Sequence, residues 1–106
     1  MATLEPPAEL LDLEEGASET FRVLRWKYGE LEIQPREAPA GKIVPAVRMW
    51  VPPEDKPLGA PYWDATAGNL IARLLPMLDQ LVASGRQIQV TKYGQPPSAR
   101  HRVDFL

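Results

Sequence analysis

The chain has 106 residues, a formal net charge of −2, 44% hydrophobic and 25% charged residues. That length suits one domain, and the composition is that of a globular protein rather than a disordered one. The absence of cysteine excludes disulfides, thiolate nucleophiles and Cys-ligated zinc, and no apolar run reaches the ~18 residues a membrane span needs.

A small domain without disulfides fits a reducing compartment. The N-terminus, MATLEPPAELLDLEEG, is acidic and lacks the basic start and apolar stretch of a secretory signal. A cytoplasmic location is therefore expected. Charge is unevenly spread. Glu5, Glu9, Asp12, Glu14, Glu15 and Glu19 fall in the first nineteen residues, which hold no Lys or Arg. All 12 Lys and Arg lie from Thr20 onward, so the near-neutral total conceals an acidic arm on a basic body. The expected organisation is an arm over residues 1–19 and a single α+β domain over 20–106.

Within the arm, Ala8 to Glu15 has the spacing of a short helix, with Pro7 suited to its first turn and Gly16 to its end. A helix this short is marginal alone in water, so the arm must dock or be disordered. Thr20 to Tyr28 (TFRVLRWKY) predicts a strand, and a hairpin turn is expected around Tyr28, Gly29 and Glu30, with Leu31 and Ile33 on the return. Pro35 and Pro39 then break the pattern. Lys42 to Val51 (KIVPAVRMWV) predicts a third strand, which Pro45 should place at an edge or in a bulge. Pro52 to Pro61 predicts a stiff loop. Tyr62 and Trp63 are expected to staple the start of a helix capped by Asp64 or Thr66.

That helix runs to about Ser84 on the stripe Leu70, Ile71, Leu74, Leu75, Leu78, Leu81 and Val82. Pro76 should kink or divide it, and Gly85 should cap its end. Gln87 to Tyr93 and Arg100 to Phe105 alternate apolar and polar residues and should pair as a hairpin around the loop Gly94 to Ala99. The economical fold is two layers: a four- or five-stranded antiparallel sheet with one long, Pro-kinked helix on one face. The other face is then open to solvent or a ligand.

The chemistry-bearing residues are few. His101 is the only histidine. No G-x-S-x-G motif joins it to Ser18, Ser84 or Ser98, and a packed strand histidine is the simpler reading. Glu54, Asp55 and Asp64 lack the spacing of a calcium or magnesium loop. Glu30 and Glu32 on one strand face are expected to keep an edge soluble rather than to work as an acid–base pair. No phosphate-binding glycine motif occurs. No enzyme activity, metal or cofactor is expected.

What remains is a pattern of cations and aromatics. Arg22, Arg25, Trp26, Lys27 and Tyr28 lie near the first turn; Arg48 and Trp50 share a face of the third strand; Lys92, Tyr93, Arg100 and Arg102 flank the last hairpin loop. On one open sheet face these residues would form a platform for single-stranded DNA or RNA, with cations on the phosphates and rings against the bases. The acidic arm would compete for that face. A pI near 5.4 argues against non-specific duplex binding by the whole chain. The alternative is a protein-interaction adaptor or a homo-oligomer, with the strand edge, Tyr62–Trp63 and the arm as contacts.

Overall fold

The computed structural model describes residues 3–33, 41–94 and 100–106. The breaks expected at Pro35 and Pro39, and residues 95–99 of the last loop, lie outside them. The elements in order are β1 (Ser18–Arg22), β2 (Arg25–Ile33), β3 (Lys42–Trp50), β4 (Tyr62–Ala65), α1 (Gly68–Leu74), a 3₁₀ turn (Leu75–Met77), α2 (Leu78–Ser84), β5 (Gln87–Tyr93) and β6 (Arg100–Phe105). The class is α+β, but the single four- or five-stranded sheet is replaced by two antiparallel sheets of three strands, ordered β1-β5-β6 and β2-β3-β4.

Three departures produce the second sheet. The expected strand Thr20 to Tyr28 is interrupted at Val23 and Leu24, so its halves enter different sheets. Val23 turns into the core while Leu24 is 55% exposed. Second, no turn forms at Gly29. It sits in mid-strand opposite Ala46, and β2 continues straight to Ile33. The segment Tyr62–Ala65, expected to staple and cap a helix, is a strand against Val47–Trp50.

Pro45 follows the rule that removes it from a ladder. Glu30 accepts the Leu4 N–H at 2.9 Å on its far side from β3, so Glu30 and Pro45 face each other as a non-hydrogen-bonded pair. The ring nitrogen therefore points to the open side of β3, which β4 pairs only from Val47 onward.

The helical segment behaves as its sequence dictates. Pro76 lacks an N–H, and the α-helix gives way there to the 3₁₀ turn. Gly85 ends α2 in the left-handed region at φ 67°, with its N–H on the Leu81 carbonyl at 3.0 Å. Leu70, Ile71, Leu74, Leu78 and Leu81 are buried, whereas Leu75 and Val82 of the expected stripe are partly exposed. The helix starts later than expected, with Ala67 at its N-cap and no side-chain cap. These side chains meet Phe21, Val23, Val47, Met49, Ile88 and Val90 in one core shared by both sheets. Each buried aliphatic side chain is worth about 1.5–3 kcal/mol, so this core dominates stability.

The arm docks without the helix expected at 8–15. Thr3 bridges Glu30 on the outer edge of β2, and Leu10 bridges Asp64 on the outer edge of β4. Between these points the arm crosses the face of β2-β3-β4 that is turned away from the main core. Leu4 fills a second, smaller cluster there with Leu31 and Ala46, against Ile33 and Val44. The small residues Gly29 and Ala46 lie on this face.

Candidate nucleic-acid interface

The alternation of β2, β3 and β4 sorts the candidate residues by face. Trp26 pairs with Met49 and Tyr28 with Val47, so both rings lie on the core side. Both are partly buried against the main core, and Trp26 donates its indole N–H to Asp79 at 3.1 Å. They are packing residues, not parts of an open platform.

Arg25, Lys27, Arg48 and Trp50 occupy the opposite face, the one the arm crosses. Arg48 is buried there. Its Nε and Nη2 donate to the two Asp64 carboxylate oxygens at 2.8 and 3.1 Å, and its Nη1 and Nη2 donate to the Glu5 and Pro7 carbonyls at 2.6 and 3.4 Å. Its guanidinium lies 3.9 Å from the Tyr62 ring centroid. Tyr62 in turn donates its hydroxyl to the Pro7 carbonyl. Burial opposes the Arg48 charge, but the hydrogen bonds and charge of Asp64 outweigh it and raise the guanidinium pKa. Arg48 thus holds the arm down through main-chain oxygens, with Asp64 as countercharge. Asp64 also accepts the Glu9 N–H at 2.9 Å.

Arg25 and Lys27 remain exposed beside it. Neither forms an ion pair among the described residues. The Arg25 guanidinium lies 3.9 Å from the centroid of the Trp50 ring, and the Tyr62 ring meets Trp50 edge-on at 5.9 Å. Arg25, Lys27, Arg48 and Trp50, together with Thr3, Leu4 and Glu5 of the arm, line a cleft of about 280 Å³. It is positive at Arg25 and Lys27, negative at Glu5, and has an aromatic wall.

No family model, curated protein or solved structure matches the chain. The site must therefore be read from its own geometry.

Tyr93, Arg100 and Arg102 lie elsewhere, on the outward face of β1-β5-β6. Tyr93 pairs with Arg100, and Thr91 with Arg102. The inner face of that sheet is marked by buried Ile88, Val90 and His101, so the outward face carries Gln87, Gln89, Thr91 and Tyr93. Tyr93 is 44% exposed. Arg102 is paired with Asp104 at 2.9 Å, and Arg22 with Glu54 at 2.8 Å and Asp55 at 3.2 Å. Both sheets turn their inner faces to one core, so their outward faces do not merge into the single surface expected from sequence.

Lys92 lies on the inner side and lines a cleft of about 230 Å³ with His101, Asp12 and Thr66. His101 is buried, with Nδ1 2.7 Å from the Asn69 side-chain oxygen. Burial, and then the charge of Lys92, lower its pKa. Nearby, Lys56 is buried between the Glu9 carboxylate at 3.0 Å and the Leu58 carbonyl at 2.8 Å, above the Trp63 ring.

Sequence reasoning missed Asp64, Tyr62 and Lys56 as arm-holding residues. The one available signal was the match of phase between Arg48 and an acid on a neighbouring strand. That required knowing that Tyr62–Ala65 is a strand.

Proposed function

We propose that this chain is a small, non-enzymatic, cytoplasmic module that binds single-stranded DNA or RNA weakly and with little sequence preference. The observation that supports this reading is the Arg25–Trp50 stack beside Lys27, two exposed cations without ion-pair partners among the described residues, at an aromatic-walled cleft. Lys27 and Arg25 would take adjacent phosphates, and the outer plane of the Arg25 guanidinium, braced by Trp50, would take a base. Two phosphate contacts bound the strength. Single-strand binding weakens with salt by a slope of about −0.7 per contact, so two contacts give about −1.4. Tyr93, Arg100 and Arg102 on the other sheet would serve a longer strand as a separate contact.

The arm's role in this reading differs from simple competition. Its carbonyls, not its carboxylates, engage Arg48. Only Glu5 brings negative charge to the cleft lining. Fluorescence anisotropy with a labelled oligonucleotide at low salt tests the proposal. Arg25→Ala with Lys27→Ala should abolish binding and Glu5→Gln should strengthen it. No binding by the intact chain at low salt, or binding indifferent to both cations, would overturn it.

A further inference from the structure

The outer edge of β6 carries a second surface, independent of the cleft. Lys92 donates its N–H to the Ala17 carbonyl at 3.1 Å and accepts from the Gly16 N–H at 2.8 Å, so its backbone is turned toward β1. Lys92 and His101 therefore face each other as a non-hydrogen-bonded pair. By alternation, the main-chain N–H and C=O of His101, Val103 and Phe105 point away from β5. They form no hydrogen bond among the described residues. β6 is the last strand of its sheet, and α1 reaches it from the inner side through Asn69 and His101.

An unpaired edge is a template for another strand, and charged residues usually blunt it by repelling a second copy. Here the charges do the reverse. Arg102 and Asp104 lie on one face on either side of Val103. In an antiparallel pairing of two copies about a two-fold axis at Val103, each Arg102 stands opposite Asp104 of the second copy. His101 stands opposite Phe105 of the second copy, and Val103 opposite itself. The positions that meet through hydrogen bonds are those whose backbone groups are free. The positions that meet through side chains carry opposite charge. Phe105 and Leu106, 40% and 56% exposed, lie at the ends of this pairing and gain cover.

We infer that β6 is a homodimerisation edge: a second copy of this chain adds its own β6 antiparallel to the first, joining two three-stranded sheets into one of six strands. The interface is isologous, as closed two-fold pairing requires. An edge of six residues buries less than the roughly 1,000 Å² of a stable interface, so the dimer is concentration-dependent.

Light scattering across concentrations up to about 1 mM should show the 11.8 kDa chain doubling in mass. Val103→Pro removes an outward N–H that forms no hydrogen bond among the described residues, so it should keep the fold by circular dichroism and abolish the doubling. Arg102→Asp alone should also abolish it, and Arg102→Asp combined with Asp104→Arg should restore it. A chain that stays monomeric throughout, or a dimer that survives both Val103→Pro and Arg102→Asp, would overturn the inference. If Val103→Pro unfolds, the loss and rescue by the charge exchange decide.

Discussion

Arg48 and Asp64 face each other across β3 and β4 at a position where the strands exchange no hydrogen bonds, so the guanidinium can meet the carboxylate broadside. The same register leaves the Asp64 backbone free to bond the arm: it donates to the Glu9 carbonyl at 2.7 Å and accepts from the Leu11 N–H at 2.9 Å. One residue thus neutralises a buried cation with its side chain and fixes the arm with its main chain.

Breaking this pair should be severe. Asp64→Ala leaves a buried, uncompensated guanidinium, and Arg48→Ala a buried carboxylate; each should cost about 3–5 kcal/mol. Replacing both, as in Arg48→Met with Asp64→Leu, should cost less than either single change. Urea denaturation of the three variants checks this, and simple additivity of the single changes would refute it.

Leu4→Ala tests whether the arm is structural. Leu4 is 3% exposed in the smaller cluster, and such truncations cost about 2–5 kcal/mol. The lower part of that range is expected, because few side chains surround it. A change within about 0.5 kcal/mol, the scale of surface substitutions, would mean that the arm contributes no packing.

His101 sets a pH dependence. Burial and Lys92 lower its pKa in the folded state, while the unfolded chain titrates near the ordinary value of about 6.5. Just below that value the unfolded state binds more protons, so stability rises with pH there. The contribution is complete above the unfolded pKa and is lost as pH falls from it through the folded pKa. Thermal unfolding across this window should show the slope in the native chain and a flatter profile in His101→Gln.

Salt titration separates specific phosphate contacts from diffuse attraction. Lys27→Ala should weaken oligonucleotide binding and reduce the slope of log affinity against log salt by about 0.7, one single-strand contact. Arg102→Ala should change the slope less for short oligonucleotides, because Arg102 is already paired with Asp104.

The local punctuation of this fold was legible in the sequence. Pro76 breaks the helix, Gly85 caps it in the left-handed region, and the alternation of β5 and β6 matches their pairing. Each of these follows from a residue's own backbone or side-chain period. The separation into two sheets had one local signal, a change of phase in TFRVLRWKY. Its apolar residues fall on odd positions at Phe21 and Val23 and on even positions at Leu24, Trp26 and Tyr28, and the chain changes partner between them. A strand read straight through that change hides the second sheet. Gly29 suggested a turn because glycine permits one, but it lies buried in mid-strand beneath the arm. The site suffered the same limit. Arg48, Trp26 and Lys27 have the same standing as residue types, yet one is buried under the arm, one bonds α2 and one is exposed. The alternation assigned strand faces, but not which face the arm would cover.

The crossing of the arm has a geometric corollary. Its two anchor points lie one strand position outside β2 and one outside β4, four spacings of about 4.8 Å apart. They are also offset along β3 from Pro45 to Arg48, about 10 Å more. The diagonal is therefore about 22 Å, and the seven steps from Thr3 to Leu10 reach about 23–25 Å when fully extended. The segment is a gauge cut to the width of the sheet. A one-residue deletion cannot be absorbed, since the shortened segment would have to release either Leu4 from its cluster or Leu10 from β4.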